Sequence, residues 1–465
     1  MAFTYHPPTR SECLVCNNLI QHDGHPLIEN DKGKASSANV FPIHNWYNFV
    51  LGYSPEFPNH VLKREKISNS DLVIDPFMGS GTTLVCCKLQ GIPSKGIDAN
   101  DFMYEAARVK LNWNLDTNLL RRLRDDILET CSFIYNKFKW DDKYEAFAVQ
   151  PMLRENDPNE KKSYSIYVQQ NRPTMLESKY ISDKPFAKAK IIHDAINIVI
   201  NPSPEKEIFN LALTSILIPI SNVRYGPGFG VVKPKEDVDV FQMFLSKVNR
   251  MITDLDALDG TQKCTPSETI LGDTRHLSKY FNFNSASLMI TSPPYPGDHE
   301  YTKHTRLELI FSGKATSKKE FQVIKRRLLQ ASTTNIYHDL NDSECVLDMA
   351  SIRDITSSIQ DRLIHDKATS GFERLYTKLV TEYFGGMYKC LEQCYMVLKP
   401  GGKIALLVSD SHAFKMVHIQ TAEILKGIGC SLGYINPEII LWQLKTSTSH
   451  KYYLRENILL LSKPK

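Results

Sequence analysis

One stretch in the first quarter of the chain limits the fold more than any other. Leu72-Val73-Ile74 is a short apolar run, and Asp75-Pro76-Phe77-Met78-Gly79-Ser80-Gly81-Thr82-Thr83 follows as a tight turn containing two glycines. Leu84 to Gln90 then has helical character. Strand, glycine turn and helix in this order make the opening unit of a doubly wound α/β sheet, whose ligands bind outside the carboxyl ends of the strands. Gly79 and Gly81 let the backbone approach a ligand closely, and Asp75 sets an acceptor at the strand end. A P-loop would end in Gly-Lys-Ser/Thr; Gly81-Thr82-Thr83 has no lysine, so the ligand need not carry phosphates. A second strand, Ser94 to Ile97, ends in Asp98. In nucleoside-binding sheets an acid about twenty residues after the turn grips ribose hydroxyls, and a solvated strand-end aspartate is the plainer alternative.

A second unusual object lies far downstream. Ser287-Leu288-Met289-Ile290 reads as a buried strand, and Thr291-Ser292-Pro293-Pro294-Tyr295 follows it. Each proline fixes its own φ, lacks an N–H and pushes the preceding residue into an extended conformation. The result is a stiff arm whose carbonyls no helix can absorb. Ser292 adds a hydroxyl and Tyr295 a flat face, which suits holding something planar that donates N–H bonds. The five residues alone fit an ordinary Pro-Pro turn equally well.

Between these two points, from about Asp116 to Thr265, the pattern is mixed and too long for a connection within a sheet, so it reads as an insertion. It holds helix-like segments and a glycine-rich loop from Ser221 to Gly230, where Arg224 could touch a nucleic-acid backbone. The sheet resumes at Thr269 to Asp273. Residues 301–330 carry eight basic side chains against two acidic ones, a net of +6 that exceeds the +4 of the whole chain. Lys303, Arg306, Lys325, Arg326 and Arg327 are the candidates for phosphate contact there, with a solvated charged face as the alternative. The chain therefore divides into an arm (1–40), a first sheet half (41–115), an insertion (116–265), the Pro-Pro segment (266–310), a basic helical insertion (311–375) and a final α/β portion (376–465).

The overall charge, 56 basic against 52 acidic residues, neither requires nor excludes a polyanionic partner. The longest apolar run, Leu211 to Ile220, is broken by Thr214, Ser215 and Pro219, so no membrane span is expected. Ten scattered cysteines suit a reducing compartment, and a cytoplasmic protein is the simplest expectation. Cys13 and Cys16, with His22 and His25, have ligand chemistry but cramped spacing, and no metal is expected.

Taken together, Asp75-Pro76-Phe77-x-Gly79-Ser80-Gly81-Thr82-Thr83 and Ser292-Pro293-Pro294-Tyr295 resemble the exocyclic-amino DNA methyltransferases. Gly272-Asp273, the Leu398-Lys399-Pro400-Gly401-Gly402 turn and Arg455-Glu456-Asn457-Ile458-Leu459 look similar to that family as well. The resemblance covers roughly 42–113, 268–310 and 376–465 and leaves both insertions unexplained. It implies a Rossmann-like sheet binding S-adenosylmethionine, with the large, mostly helical insertions as target-recognition regions. Asp75, Pro76, Phe77, Gly79, Gly81 and Thr82 would surround the methionine part, Asp98 would hold the ribose, and Asp273 would lie beside the adenine. Phe57, followed by Pro58, stands where a further cofactor contact is found in such enzymes.

Ser292, Pro293, Pro294 and Tyr295 would form the catalytic arm, with Ser292 and the Pro293 carbonyl accepting from an exocyclic amine and Tyr295 stacking on a flipped base of double-stranded DNA. Serine at the first position of that motif mostly accompanies cytosine-N4 enzymes. Adenine-N6 methylation is the alternative, and an RNA amino-methyltransferase or an inactive nucleic-acid-binding relative stand behind it. No Pro-Cys pair occurs, against a cytosine-C5 mechanism. A cognate restriction endonuclease would be a natural partner.

Overall fold

The computed structural model describes residues 42–140, 162–225, 229–368, 370–446 and 453–465. The Cys13/Cys16 and His22/His25 cluster lies outside the described residues. Seven strands form the central sheet: β1 (Val73–Asp75), β2 (Ser94–Asp98), β3 (Ser267–Leu271), β4 (Ala286–Thr291), β5 (Leu398–Ser409), β6 (Ile435–Thr446) and β7 (Tyr453–Ser462). Their order across the sheet is β3-β2-β1-β4-β5-β7-β6. The pairs from β3 to β5 are parallel, whereas β7 runs antiparallel to both β5 and β6. The expected Rossmann-like sheet is therefore present, and its strand order reverses between β1 and β4. A ligand crevice forms at such a switch point, beyond the strands' carboxyl ends.

Side-chain alternation shows why this sheet is buried on both faces. Val73, Leu288, Ile290, Ala405, Leu407 and Ile458 share one core with Phe57, Val61 and Leu62 of helix α1 (Glu56–Arg64). Ile74, Met289, Ile404, Leu406 and Leu459 point the other way, into a core completed by two later helices described below. Helix α2 (Thr82–Leu89) follows the glycine turn, and α3 (Asp101–Lys110) follows β2, capped by the Asn100 side chain on the N–H groups of Phe102 and Met103.

Residues 117–256 supply four long helices, α4 (Thr117–Tyr135), α5 (Asp183–Val199), α6 (Pro204–Ser215) and α7 (Val240–Asp256). Their inner faces join Met78, Leu84, Phe102 and Trp113 in one continuous core. The apolar run at 208–220 is not one helix: α6 stops at Ser215 and a short turn, Leu217–Ile220, follows, since Pro219 cannot donate to the helical ladder. Arg224 sits on a small hairpin, Val223–Tyr225 with Phe229–Val231. After β4 come α8 (Arg306–Phe311), α9 (Lys318–Arg327), α10 (Ala350–His365), α11 (Tyr376–Val397) and α12 (Thr421–Ser431). Helices α11 and α12 complete the second core, through Leu379, Tyr383 and Met387 and through Ile424, Leu425 and Ile428. Among the described residues no helix is long and apolar enough to cross a membrane.

Candidate active site

A cavity of about 350 Å³ opens at the switch point. Its walls bring together Phe77, Gly79, Thr82, Asp98 and Asp273 with all of Ser292, Pro293, Pro294 and Tyr295. Asp75, Pro76, Gly81 and Phe57 do not line it.

Asp75 acts one layer behind the wall. It is wholly buried at the end of β1. One carboxylate oxygen accepts from the Tyr53 hydroxyl at 2.7 Å and the other from the Phe77 N–H at 3.0 Å. The same N–H lies 3.2 Å from the Thr291 hydroxyl at the end of β4, so one amide ties the two strands together at the crevice. Burial raises the Asp75 carboxyl above its usual range, and these donors oppose the shift. Pro76 contributes its carbonyl, which accepts from the Thr274 hydroxyl.

The two glycines have different tasks. Gly79 has φ +51°, and a Cβ there would meet no atom within 4 Å, so the space above the turn is free for a ligand. Gly81 has φ +84° and begins α2; a Cβ there would come within 3.1 Å of the Ala107 Cβ on α3. Gly81 is thus needed for the left-handed backbone and the close helix contact, and it serves the ligand indirectly.

Asp98 closes the turn from the β2 side. Its oxygens accept from the Gly79 N–H at 2.9 Å and the Asn100 N–H at 2.8 Å. Burial pushes this carboxyl up to about 6, against the pull of those two N–H groups. Each oxygen keeps a further lone pair for a hydroxyl donor in the cavity. Asp273 is held by Arg275 through both carboxylate oxygens, and the guanidinium continues to Asp342 at 2.6 Å.

The Pro-Pro arm is pinned from four sides. The Ser292 Oγ lies 3.1 Å from the Leu407 carbonyl of β5 and 3.2 Å from the Tyr295 hydroxyl. The Tyr295 N–H donates to the Tyr301 hydroxyl at 3.2 Å. Tyr383 of α11 donates to the Pro294 carbonyl at 2.8 Å. The Tyr295 hydroxyl donates to Glu456 of β7 at 2.9 Å. Glu456, only 2 % exposed, also accepts from Gln443 and pairs with Lys445, both on β6. Burial, and then the Glu456 charge, push the Tyr295 phenol well above its ordinary value. The Pro293 carbonyl accepts no hydrogen bond among the described residues. Ser292 and Pro293 therefore present acceptors to the cavity while Pro294 and Tyr295 anchor the arm.

Several wall residues escape a reading of motifs: Tyr53, Trp442 and Lys445, together with Arg275 and Glu456. Tyr53 carries no motif signal in the sequence, and Glu456 belongs to the Arg455-Glu456-Asn457-Ile458-Leu459 segment, whose resemblance assigns it no role.

Two sequence expectations need correction. Phe57 is completely buried, packing edge-on against Tyr53 at 5.6 Å and Trp442 at 6.2 Å, because the apolar face of α1 turns it into the sheet's core. The basic segment is also less free than its net charge implies. Lys325 pairs with Glu300 at 3.2 Å, Arg326 with Asp339 at 2.7 Å, and Arg327 with Asp101. Two of those acids, Asp101 and Asp339, lie outside 301–330, and Glu300 immediately precedes it, so a count within the segment misses them. Arg306 stacks over Phe321 at 5.4 Å and Tyr180 at 5.8 Å. Lys303 and Arg224 are exposed, and Arg224 borders a groove with Lys235, Lys247 and Arg250 whose wall at Phe49 and Val50 is shared with the main cavity. Among the described residues no group of three His, Cys, Asp or Glu side chains is placed to hold a metal ion.

The chain is similar to known proteins. A family model for N6/N4 methyltransferases, described as DNA methylase, matches residues 33–109. The Type II methyltransferase M.BsoBI of Geobacillus stearothermophilus is 22% identical over 419 residues, covering 78% of this chain and 73% of that protein. M.AvaI of Nostoc sp. is 21% identical over 431 residues, covering 86% and 80%. M.MjaII of Methanocaldococcus jannaschii is 26% identical over 275 residues, covering 52% and 48%.

Proposed function

We propose that this chain, which is similar to the exocyclic-amino DNA methyltransferases, transfers a methyl group from S-adenosylmethionine to the N4 amine of a cytosine flipped out of double-stranded DNA. The observation that carries this reading is the meeting, in one cavity, of the Asp98–Gly79 wall with the free acceptors of Ser292 and Pro293. The cavity suits the donor: its volume is that of a nucleoside-sized site, Asp98 has acceptor capacity for two ribose hydroxyls, and the space over Gly79 is open. The bound donor supplies an electrophilic sulfonium methyl.

The exocyclic amine is a weak nucleophile because its lone pair is delocalised into the ring. Ser292 Oγ and the Pro293 carbonyl accept its two N–H bonds and so favour a pyramidal nitrogen aimed at the methyl. Tyr295 stacks on the base and fixes its plane. As nitrogen forms its new bond, one amine proton passes to Ser292 Oγ. The Ser292 proton passes to the Tyr295 oxygen, and the Tyr295 proton to Glu456, along contacts of 3.2 and 2.9 Å. Beyond this path for the proton, the contribution of the protein is orientation and electrostatics.

Serine at position 292 favours cytosine over adenine, by resemblance to N4-specific enzymes. The Type II relatives support a site-specific enzyme that protects DNA from a cognate restriction endonuclease. The groove beside Arg224, together with residues 116–265, is the proposed site of target recognition. Expression in a host without DNA methylation, followed by nucleoside mass spectrometry, tests the reading. N4-methylcytosine is expected. N6-methyladenine would move the target to adenine, and unmodified DNA would overturn the assignment.

A further inference from the structure

Lys110, the last residue of α3, is 1% exposed, and among the described residues its ammonium makes no ion pair and no hydrogen bond. An uncompensated buried charge is costly, and proteins ordinarily pair or neutralise it. Burial lowers this lysine to about 7, with the nearby Cys86 opposing the shift and Lys247 adding to it. The side chain borders a recess of about 20 Å³, room for about one water-sized polar atom such as a single carboxylate oxygen. Gly52, Tyr53, Ser80 and Thr82 line both this recess and the main cavity, so the recess is its inner corner.

The corner has a second anion-attracting feature. Helix α2 begins there, and its N-cap, Gly81, has no side chain to satisfy the first-turn N–H groups. Those groups carry the positive end of the helix dipole. A buried ammonium and an uncapped helix start thus face one small space.

We propose that Lys110 and the amino end of α2 together seat the α-carboxylate of the methyl donor's methionine part. This assignment rests on the donor reading above. The carboxylate is the donor's one anionic group, and the corner lies on the glycine-turn side of the cavity, away from Ser292 and Tyr295. Lys110 is then a donor-binding residue with no part in the methyl transfer itself.

Calorimetric titration of the full chain separates this assignment from the reading beneath it. The probes are S-adenosylhomocysteine, its decarboxylated analogue S-adenosyl-3-thiopropylamine, and 5′-methylthioadenosine, which lacks the amino-acid end. Wild-type protein is expected to bind the first about ten- to a hundredfold more tightly than the decarboxylated analogue, as loss of one charge-assisted contact implies. Lys110→Met is expected to lose a similar factor for S-adenosylhomocysteine and to leave methylthioadenosine binding unchanged. Equal wild-type affinity for the carboxylated and decarboxylated ligands would overturn the assignment, even if the variant fails to fold. So would a Lys110→Met protein that binds S-adenosylhomocysteine normally, or one that loses all three ligands equally. If wild-type protein binds none of them, the donor reading itself falls, and the Lys110 assignment with it.

Discussion

The hydroxyl of Tyr295 donates to the carboxylate of Glu456 at 2.9 Å, joining the Pro-Pro arm to a strand 161 positions further along the chain. Glu456 is held in turn by Gln443 and Lys445, so the plane of the Tyr295 ring is set from below by β6 and β7. The Ser292 Oγ, 3.2 Å from the same hydroxyl, completes a three-member chain from the cavity to a buried carboxylate.

Ser292→Ala removes an amine acceptor and the first member of that chain. Loss of one positioned polar group in a dry site costs about a hundred- to a thousandfold in turnover. Tyr295→Ala removes a stacking face, for about 1–3 kcal/mol in base binding. Both variants are expected to bind S-adenosylhomocysteine as the wild type does, checked by titration beside a methyl-transfer assay. Equal loss of ligand binding in both would sink the assigned roles.

Tyr53→Phe removes one of the donors to the buried Asp75 carboxylate. The expected loss is about 1–3 kcal/mol of unfolding free energy, read from urea denaturation. The Asp75 carboxyl is already raised by burial, and Tyr53 opposes that rise. A raised folded value means stability that is full below the unfolded value and lost as pH climbs through the folded one. Removing Tyr53 raises it further, so the gap between variant and wild type should be widest near neutral pH and narrow on acidification.

Asp98, pushed up to about 6 by burial, has to be ionised to accept two hydroxyls. Affinity for 5′-methylthioadenosine, a probe without the amino-acid end, should be flat above that value. Below it, affinity should fall by up to about tenfold per pH unit. Asp98→Asn should bind weakly throughout and lack the acidic limb. For folding the sign is opposite: the neutral carboxyl is the one favoured in the ligand-free fold, so Asp98 contributes stability that is full below its unfolded value and lost as pH rises through about 6.

Exposed Lys303 and paired Arg326 should behave differently in DNA binding. If Lys303 meets a phosphate, Lys303→Ala should reduce the magnitude of the log–log salt slope by about 1, whereas Arg326→Ala, which breaks a pair with Asp339, should leave it unchanged. Fluorescence anisotropy with a labelled duplex across a salt series distinguishes them.

What was readable beforehand follows from range. Gly79, Asp98 and the Ser292–Tyr295 arm were legible because local spacing alone puts them at strand ends, and strand ends line the crevice of such a sheet. Gly81 was legible as a turn residue, but its contact with Ala107 on the next helix was not. Tyr53 looks like any aromatic residue until β1 brings Asp75 to its hydroxyl. Phe57 misled because an aromatic at the right distance from a motif says nothing about which face of α1 it occupies. The basic segment misled for a related reason, since Asp101 and Asp339 come from outside it to pair with Arg327 and Arg326. Of the helices in the insertion, only α4 and α6 overlap stretches that were legible as helix-like; α5 and α7 were not, and the merger of all four with the core around Trp113 depends on side-chain shape.

The amide of Phe77, shared between Asp75 on β1 and Thr291 on β4, bears on how the reaction has to run. The proposed donor seat and acceptor arm sit on neighbouring strands linked at this point by one hydrogen-bonding group, so they ride together on one sheet. Enzymes that hold two substrates on separate lobes can bring them together by closing a hinge. On the function proposed above, with both seats on one sheet, the travel required for methyl transfer falls to the nucleic acid, whose base rotates out and comes to a stationary tool.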